Sequence, residues 1–298
     1  MHIPSEMLST TVCPLTATVA VAGVAISAFA LFTGKSKMPS ASLFALVSTA
    51  VFGLQMLNYP VWDGVSGHLI GGVFASAILG IPAGIISMAL VLLIQTLMFA
   101  DGGILMLGAN IFNMAIIGAG LGGLIHSKLI ANGAGKNSAI FVASAFSVFL
   151  ASIAVSFELV ASGKGGIEMT ASLIGIHVVL AIIEGVATVG LVKLVGYNSE
   201  SEMSPKTLMA LAGLVIVSLC VSPFACAFPD AFEWTMVNFN ALPDAPNFVS
   251  APFADYSVSA ISNAIISVLV AGTIGIVAML LSSFAVSYIL KRHRKSFE

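Results

Sequence analysis

Apolar runs close to the length a helix needs to cross a bilayer, roughly 20 residues, recur at 15–33, 41–57, 108–126, 137–159, 170–195, 207–222 and 260–290. The stretch from Leu69 to Phe99 fits neither one span nor two full ones. It contains Gly80-Ile81-Pro82, and proline removes a backbone donor and clashes with the preceding turn. The pattern therefore predicts two helices there, 69–80 and 82–99, the first too short to cross unaided. Together these runs predict about nine helices.

Composition fixes the class. Of 298 residues, 58% are hydrophobic and 8% charged, with a mean hydropathy of +1.08. Soluble domains carry about 25% charged residues, so an all-α polytopic membrane protein is expected. The placement of its charge says more than the formal sum of −2. With nine spans and the amino terminus outside, Lys35, Lys37, Lys128, Lys136, Lys193, Lys206, Lys291, Arg292, Arg294 and Lys295 fall inside and only Lys164 outside. That is the bias of a protein with a cytoplasmic carboxyl terminus. The terminal KRHRK reads as a membrane anchor rather than a nucleic-acid patch. No Lys or Arg precedes the first run, although Ala28-Phe29-Ala30 imitates a cleavage site, so the opening reads as a span rather than a secretory signal.

The longer loops, 58–68 and 223–259, lie on the outer side, and the acidic loop 196–206 lies inside. That loop divides a seven-helix core, residues 1–200, from a two-helix appendage, residues 201–298. No internal repeat is visible, so an inverted-repeat carrier finds no support. Cys13, Cys220 and Cys226 lack metal-ligand spacing and read as packing residues. Whether Cys220 and Cys226 pair stays open.

The candidate chemistry begins with MHIP. A deprotonated terminal amine and the next amide nitrogen close a five-membered chelate ring on a metal. The amide and the histidine imidazole close a six-membered one. Met1 and His2 thus offer three nitrogens in a plane, and a fourth would complete the square favoured by Ni(II) or Cu(II). His68 in SGHLIGG is expected at the same outer side, among Gly67, Gly71 and Gly72, which permit close backbone approach. Gln55, Asn58, Gln95, Asp101, Asn110 and Asn113 lie on helices or helix ends around it. Polar residues within a membrane tend to line pathways, though each also serves as an ordinary interhelical hydrogen-bonding group.

Four segments resemble the CbiM/NikM family, the substrate-capturing subunits of energy-coupling factor transporters for cobalt and nickel: MHIP, GHLIGG at 67–72, LLIQTLMFADGG at 92–103 and LGANIFNM at 107–114. The likeness runs over roughly residues 1–195. Ser5-Glu6 stands where the family often has Asp-Gly. The resemblance implies as ligands the amine of Met1, the amide and imidazole of His2 and the imidazole of His68, with Co²⁺ or Ni²⁺ as transported substrate and no organic cofactor. FPDAFEW at 228–234 and APFADYSV at 251–258 are similar to the PDGLE domain found beside or fused to such subunits, with Pro229-Asp230-Ala231-Phe232-Glu233 replacing the namesake motif.

No GxxxxGK[ST] occurs in the chain, and the resemblance implies that a coupling membrane subunit and cytoplasmic ATPases supply the energy, in the plasma membrane. Thr18, Ala22, Gly23 and Ser27, small residues at four-residue spacing on the first span, could form the docking face or pack within the bundle. Two other classes compete. An intramembrane metalloenzyme finds only His177 and Glu184, seven residues apart on one helix face, without a third ligand. A stand-alone secondary carrier usually needs a carboxylate at mid-depth, and Glu184 is the one candidate, since Asp101, Glu158 and Glu168 fall near outer ends.

Overall fold

The computed structural model describes residues 2–196, 204–242 and 251–294. The apolar runs become helices α1 (Val12–Phe32), α2 (Ala41–Gln55), α3 (Gly72–Leu79), α4 (Ile81–Phe99), the continuous run Ile104–Ala131, α7 (Lys136–Ala161), α8 (Ile167–Val195), α9 (Pro205–Val221) and α11 (Ala264–Arg294). Seven of them are long and apolar enough to cross a membrane. The run Ile104–Ala131 comprises α5 (Leu107–Asn110), a π-helical stretch (Ile111–Leu121) and α6 (Gly122–Ala131). Within the outer loops lie α10 (Ala231–Asn238) and a hairpin of β1 (Tyr59–Trp62) and β2 (Val65–Gly67). The chain is an all-α multi-pass membrane protein, as the apolar periodicity predicts.

Sequence chemistry sets the helix ends. Ser40 caps α2 by accepting from the Leu43 N–H, and Ser204 caps α9 by accepting from the Thr207 N–H ahead of Pro205. Gly80 breaks the chain between α3 and α4, and Pro82 then sits in the first turn of α4, where its missing N–H is harmless. Large apolar side chains such as Leu15, Val21 and Ile26 stay exposed on α1, which suits a helix bathed in lipid.

Helix α2 is enclosed on nearly every side; Phe44, Val47, Val51 and Phe52 are all buried. A helix apolar all round belongs inside, and α2 packs against α3, α4, α9 and α11. The two tail helices therefore rest on it. Small residues bring them close: Gly53 faces Ser218 of α9, and Gly275 of α11 faces Phe52 and Phe99.

Helix alternation sorts the termini into two ends. The Phe32 and His293 rings meet at one end, which also collects Lys35, Lys37, Lys128, Lys136, Lys193, Lys206, Lys291, Arg292 and Arg294. Lys295 lies outside the described residues. Lys164 lies at the other end with residues 2–8, where the Ser9 N–H donates to Ser162 Oγ. The expected boundary near residue 200 falls outside the described residues.

Candidate metal-capture site

Residues 2–8 form an arm lying on the end of the bundle. Ile3 and Met7 are fully buried and serve as its apolar pegs. The Ile3 N–H donates to Asn110 Oδ1 at 2.8 Å, while the Ile3 carbonyl accepts from Asn110 Nδ2 at 3.2 Å and from the Gly103 N–H at 2.9 Å. Asn110 thus treats residue 3 as a strand would. The seat is the turn after α4, where a side chain on Gly103 would run into the backbone of Ser5. The arm is docked by contacts of its own.

That seat delivers His2. Its Nδ1 lies 2.9 Å from Asp101 Oδ1. The other carboxylate oxygen, Oδ2, accepts from the Tyr256 hydroxyl at 2.7 Å, and Gln95 Nε2 donates to the same Tyr256 oxygen at 3.2 Å. His2 Nε2 is buried with no hydrogen-bond partner among the described residues. The His2 ring stacks on that of His68, centroids 5.2 Å apart and planes 17° from parallel.

His68 arrives from the opposite direction. The sequence predicts a helix starting at Leu69, but α3 starts at Gly72 and residues 68–71 enter the bundle unwound. The reason lies in the partners of that segment. Glu184 of α8 accepts from the Ile70 and Gly71 N–H groups, one on each carboxylate oxygen, both at 2.8 Å. Gln55 Nε2 donates to the Ile70 carbonyl at 2.6 Å. Gly71 has φ +75°, and a Cβ on Gly72 would strike the backbone of Gly118 and Ala119. Non-helical backbone is tolerated at membrane depth where protein satisfies its polar groups, and here it does. His68 Nδ1 is 3.1 Å from the Leu69 carbonyl, and Nε2 is 3.9 Å from Asp230 Oδ2.

Burial pushes the His68 imidazole down to about 3, so it is a neutral nitrogen donor at physiological pH. Burial alone would raise the Asp101 carboxyl, but the neighbouring His2 imidazole and the Tyr256 hydrogen bond hold it below the usual carboxylate range. The Tyr256 phenol is pushed well above its ordinary value, first by burial and then by the Asp101 charge, and stays a donor.

The two imidazoles border a cavity of about 760 Å³, also lined by Asn58, Asp101, Asp230 and Tyr256. Of the polar residues singled out from sequence, Asp101, Gln95 and Asn110 support the arm and Gln55 supports the His68 segment. Asn58 lines the cavity, and its carbonyl accepts from the Cys226 N–H at 2.8 Å. Asn113 instead donates to Glu158 Oε2 at 2.9 Å, tying Ile111–Leu121 to α7. The four small residues of α1 divide: Thr18 and Ala22 are exposed, whereas Ser27 is buried and Gly23 packs against Ile116. Ser27 is thus taken up by packing within the bundle, and Gly23 is half-buried against Ile116. Met1 lies outside the described residues.

Glu184 is not a mid-depth ion carrier's free carboxylate, since both oxygens hold backbone amides. His177 Nδ1 is 2.7 Å from the Leu173 carbonyl of its own helix. Cys13, Cys220 and Cys226 are free thiols. Two tail residues beside the imidazoles, Asp230 and Tyr256, were not singled out individually from the sequence. Both fall inside the two tail segments that carried the PDGLE resemblance, which is the signal that pointed at them.

The family described as the cobalt uptake substrate-specific transmembrane region, CbiM, matches residues 2–202. A relative from Archaeoglobus fulgidus, named "Putative fused nickel transport protein NikMN", is 30% identical over 297 residues, spanning 96% of this chain and 98% of its own. The cobalt transport protein CbiM of Thermosipho melanesiensis is 30% identical over 179 residues, covering 57% of this chain and 75% of its own. A crystal structure of a truncated transition metal transporter superposes with a TM-score of 0.57 at 30% identity, covering 65% of this chain and 97% of that one. The chain belongs to the CbiM family of cobalt uptake transmembrane regions.

Proposed function

We propose that the protein captures Co²⁺ or Ni²⁺ from the outer side of the membrane in a planar set of four nitrogens. These are the amine of Met1, the amide and Nδ1 of His2, and Nε2 of His68. The observation that carries this reading is the convergence of His2 and His68, residues 66 positions apart, into one stack bordering the cavity. His68 supplies a neutral donor. His2 Nδ1, which the six-membered ring requires, faces Asp101. A half-turn about Cβ–Cγ exchanges Nδ1 with Cδ2 and Nε2 with Cε1, which frees Nδ1 and lets the Nε2–H turn toward Asp101. Among the described residues no three of His, Cys, Asp and Glu gather as a metal site, in keeping with a site that draws on main-chain nitrogens.

The ion is cargo, and ATP hydrolysis belongs to partner subunits of an energy-coupling factor assembly, a coupling membrane protein and cytoplasmic ATPases. The end rich in lysine and arginine faces them in the cytoplasm. The exposed stripe of α1 carrying Thr18 and Ala22 is the surface offered to the coupling subunit. Residues 1–200 form the capture unit, and residues 201–298 an appendage that caps it.

Titration of the purified full chain with Ni²⁺ and Co²⁺ tests the reading. One residue added before Met1, or His68→Ala, is expected to weaken binding at least a thousandfold by breaking the chelate rings or removing the fourth nitrogen. Parental affinity in either variant would refute it.

A further inference from the structure

The residues that hold the metal-binding arm do not all come from the part of the chain matched to the family. Asp101 is the carboxylate that meets the His2 imidazole, and its second oxygen is bonded from the side by Tyr256, on the segment between α10 and α11. We infer that Tyr256 is a positioning residue for metal capture, fixing Asp101 so that the carboxylate orients the His2 ring as a ligand. This rests on the reading of His2 and His68 given above.

Three independent features support it. First, the hydroxyl has no freedom: it donates to Asp101 Oδ2 at 2.7 Å and accepts from Gln95 Nε2 at 3.2 Å, and Gln95 is fully buried. With both Asp101 oxygens engaged, the carboxylate cannot rotate without breaking a bond.

Second, the backbone is bent to put the phenol there. Asp255 and Tyr256 both have φ +53°, a left-handed conformation that residues with a side chain adopt only when their surroundings compel it. The Tyr256 ring stacks on Phe99 of α4, centroids 4.4 Å apart and planes 14° from parallel, and also meets Phe52 of α2. The Phe253 N–H donates to the Met98 carbonyl at 3.0 Å, fastening the segment to the end of α4 one turn before Asp101.

Third, the chemistry is that of a supported ligand. A histidine that binds a metal through one ring nitrogen commonly donates its other N–H to a carboxylate, which fixes the ring and raises its basicity. Once the His2 ring has turned its Nδ1 to the ion, Asp101 is the carboxylate within reach of Nε2–H. Tyr256 then stands one step further out.

The test uses the full chain in detergent, titrated with Ni²⁺ alone and followed both by calorimetry and by the visible absorption of nitrogen-ligated planar Ni(II). Tyr256→Phe keeps the ring on Phe99 and removes only the hydroxyl. Losing a carboxylate that supports a metal-bound histidine typically weakens affinity about 10–100-fold, and Asp101→Asn is expected in that range. Tyr256→Phe should weaken Ni²⁺ binding severalfold with the absorption band unchanged, because the ligands persist, while the thermal midpoint falls modestly because the buried Gln95 amide loses its acceptor. The double variant should bind no more weakly than Asp101→Asn alone, since Tyr256 acts through Asp101.

Parental affinity in Tyr256→Phe, or additive losses in the double variant, would overturn the inference. A shifted absorption band in Tyr256→Phe would also overturn it, by making the phenol a ligand. Failure of the underlying reading looks different: His68→Ala then binds Ni²⁺ like the parent, and the role of Tyr256 falls with it.

Discussion

The two imidazoles of the site are held in contrasting ways. His68 projects from a wall: the residues after it have their backbone groups bonded on both sides, by Glu184 and Gln55, and their glycines wedged against Val51 and Gly118. His2 projects from an arm. Its support is two apolar pegs, one asparagine, one carboxylate and the Gly103 N–H, all at the end of the bundle. The wall is built from four helices and cannot yield without disturbing the fold. The arm is attached by a few local contacts and can be released alone. On the proposed function, a site that must also let its ion go benefits from this inequality, because only one half needs to move.

The largest test of the comparison removes the wall. Glu184→Ala leaves the Ile70 and Gly71 N–H groups unsatisfied inside the bundle, at about 1–3 kcal/mol for each buried group. Thermal unfolding in detergent should shift down markedly, and Ni²⁺ binding should disappear with it. Glu184→Gln, which keeps one acceptor oxygen, should fall between. If Glu184→Ala bound Ni²⁺ like the parent, the wall would have no part in presenting His68.

Proton release sharpens the contrast. The His68 imidazole is lowered to about 3, so it is already unprotonated at pH 6–8 and contributes nothing to the pH dependence of metal binding there. On the proposed ligand set, all the protons displaced in that range come from the arm. Metal affinity should therefore rise with pH, by up to about a hundredfold per unit while both the amine and the amide nitrogen release protons. The slope should ease to about tenfold per unit above the amine's usual range of about 7.7–8.0. Calorimetry in buffers of different ionisation enthalpy counts the protons directly. An affinity flat between pH 6 and 8 would rule out ligation by the arm's nitrogens.

The same inequality governs what could be read from sequence. The seven apolar runs and the break at Gly80-Ile81-Pro82 within the eighth stretch were legible because bilayer thickness imposes a length and proline imposes a boundary. MHIP stood out because chelate chemistry depends on covalent spacing, whereas His68, 66 positions away, was joined to it by the expected outer side and the family resemblance. The unwinding of residues 68–71 was not, because it depends on Glu184, more than a hundred residues away, and nothing local ties that carboxylate to Ile70 and Gly71. Tyr256 was legible only as part of a tail segment with a family likeness; its own role comes from the tertiary path back to Asp101. The small residues of α1 left two readings open, since four-residue spacing cannot say which side of a helix meets lipid; Ser27 is buried and Gly23 packs against Ile116, while Thr18 and Ala22 are exposed.

Loosening the arm's seat should separate binding from stability. Gly103→Ala places a methyl group against the backbone of Ser5, and backbone cannot step aside as a flexible side chain can. Overpacking of this kind costs about 1–3 kcal/mol. Since the strain sits on the arm, the cheapest relief is to lift residues 2–5 off the bundle. Ni²⁺ affinity should drop about ten- to a hundredfold, the equivalent of that cost, while the unfolding midpoint scarcely changes. A large drop in midpoint would mean that the arm and wall are one cooperative unit.

The smallest effect is expected at Asn110, whose side chain bonds both main-chain groups of Ile3. Asn110→Ala removes two hydrogen bonds of about 0.5–1.5 kcal/mol each, but the Gly103 N–H still reaches the Ile3 carbonyl and the Ile3 side chain stays buried. The arm should therefore detach more often without losing its place. Amide hydrogen exchange across residues 3–8 should quicken, and Ni²⁺ affinity should fall by about tenfold or less. Exchange on α8 and at residues 70–71 should not change, because Glu184 and Gln55 are untouched. If exchange at residues 70–71 accelerated in step with the arm, the two imidazoles would be parts of a single rigid site, and release would need a motion of the whole bundle instead of its leading residues.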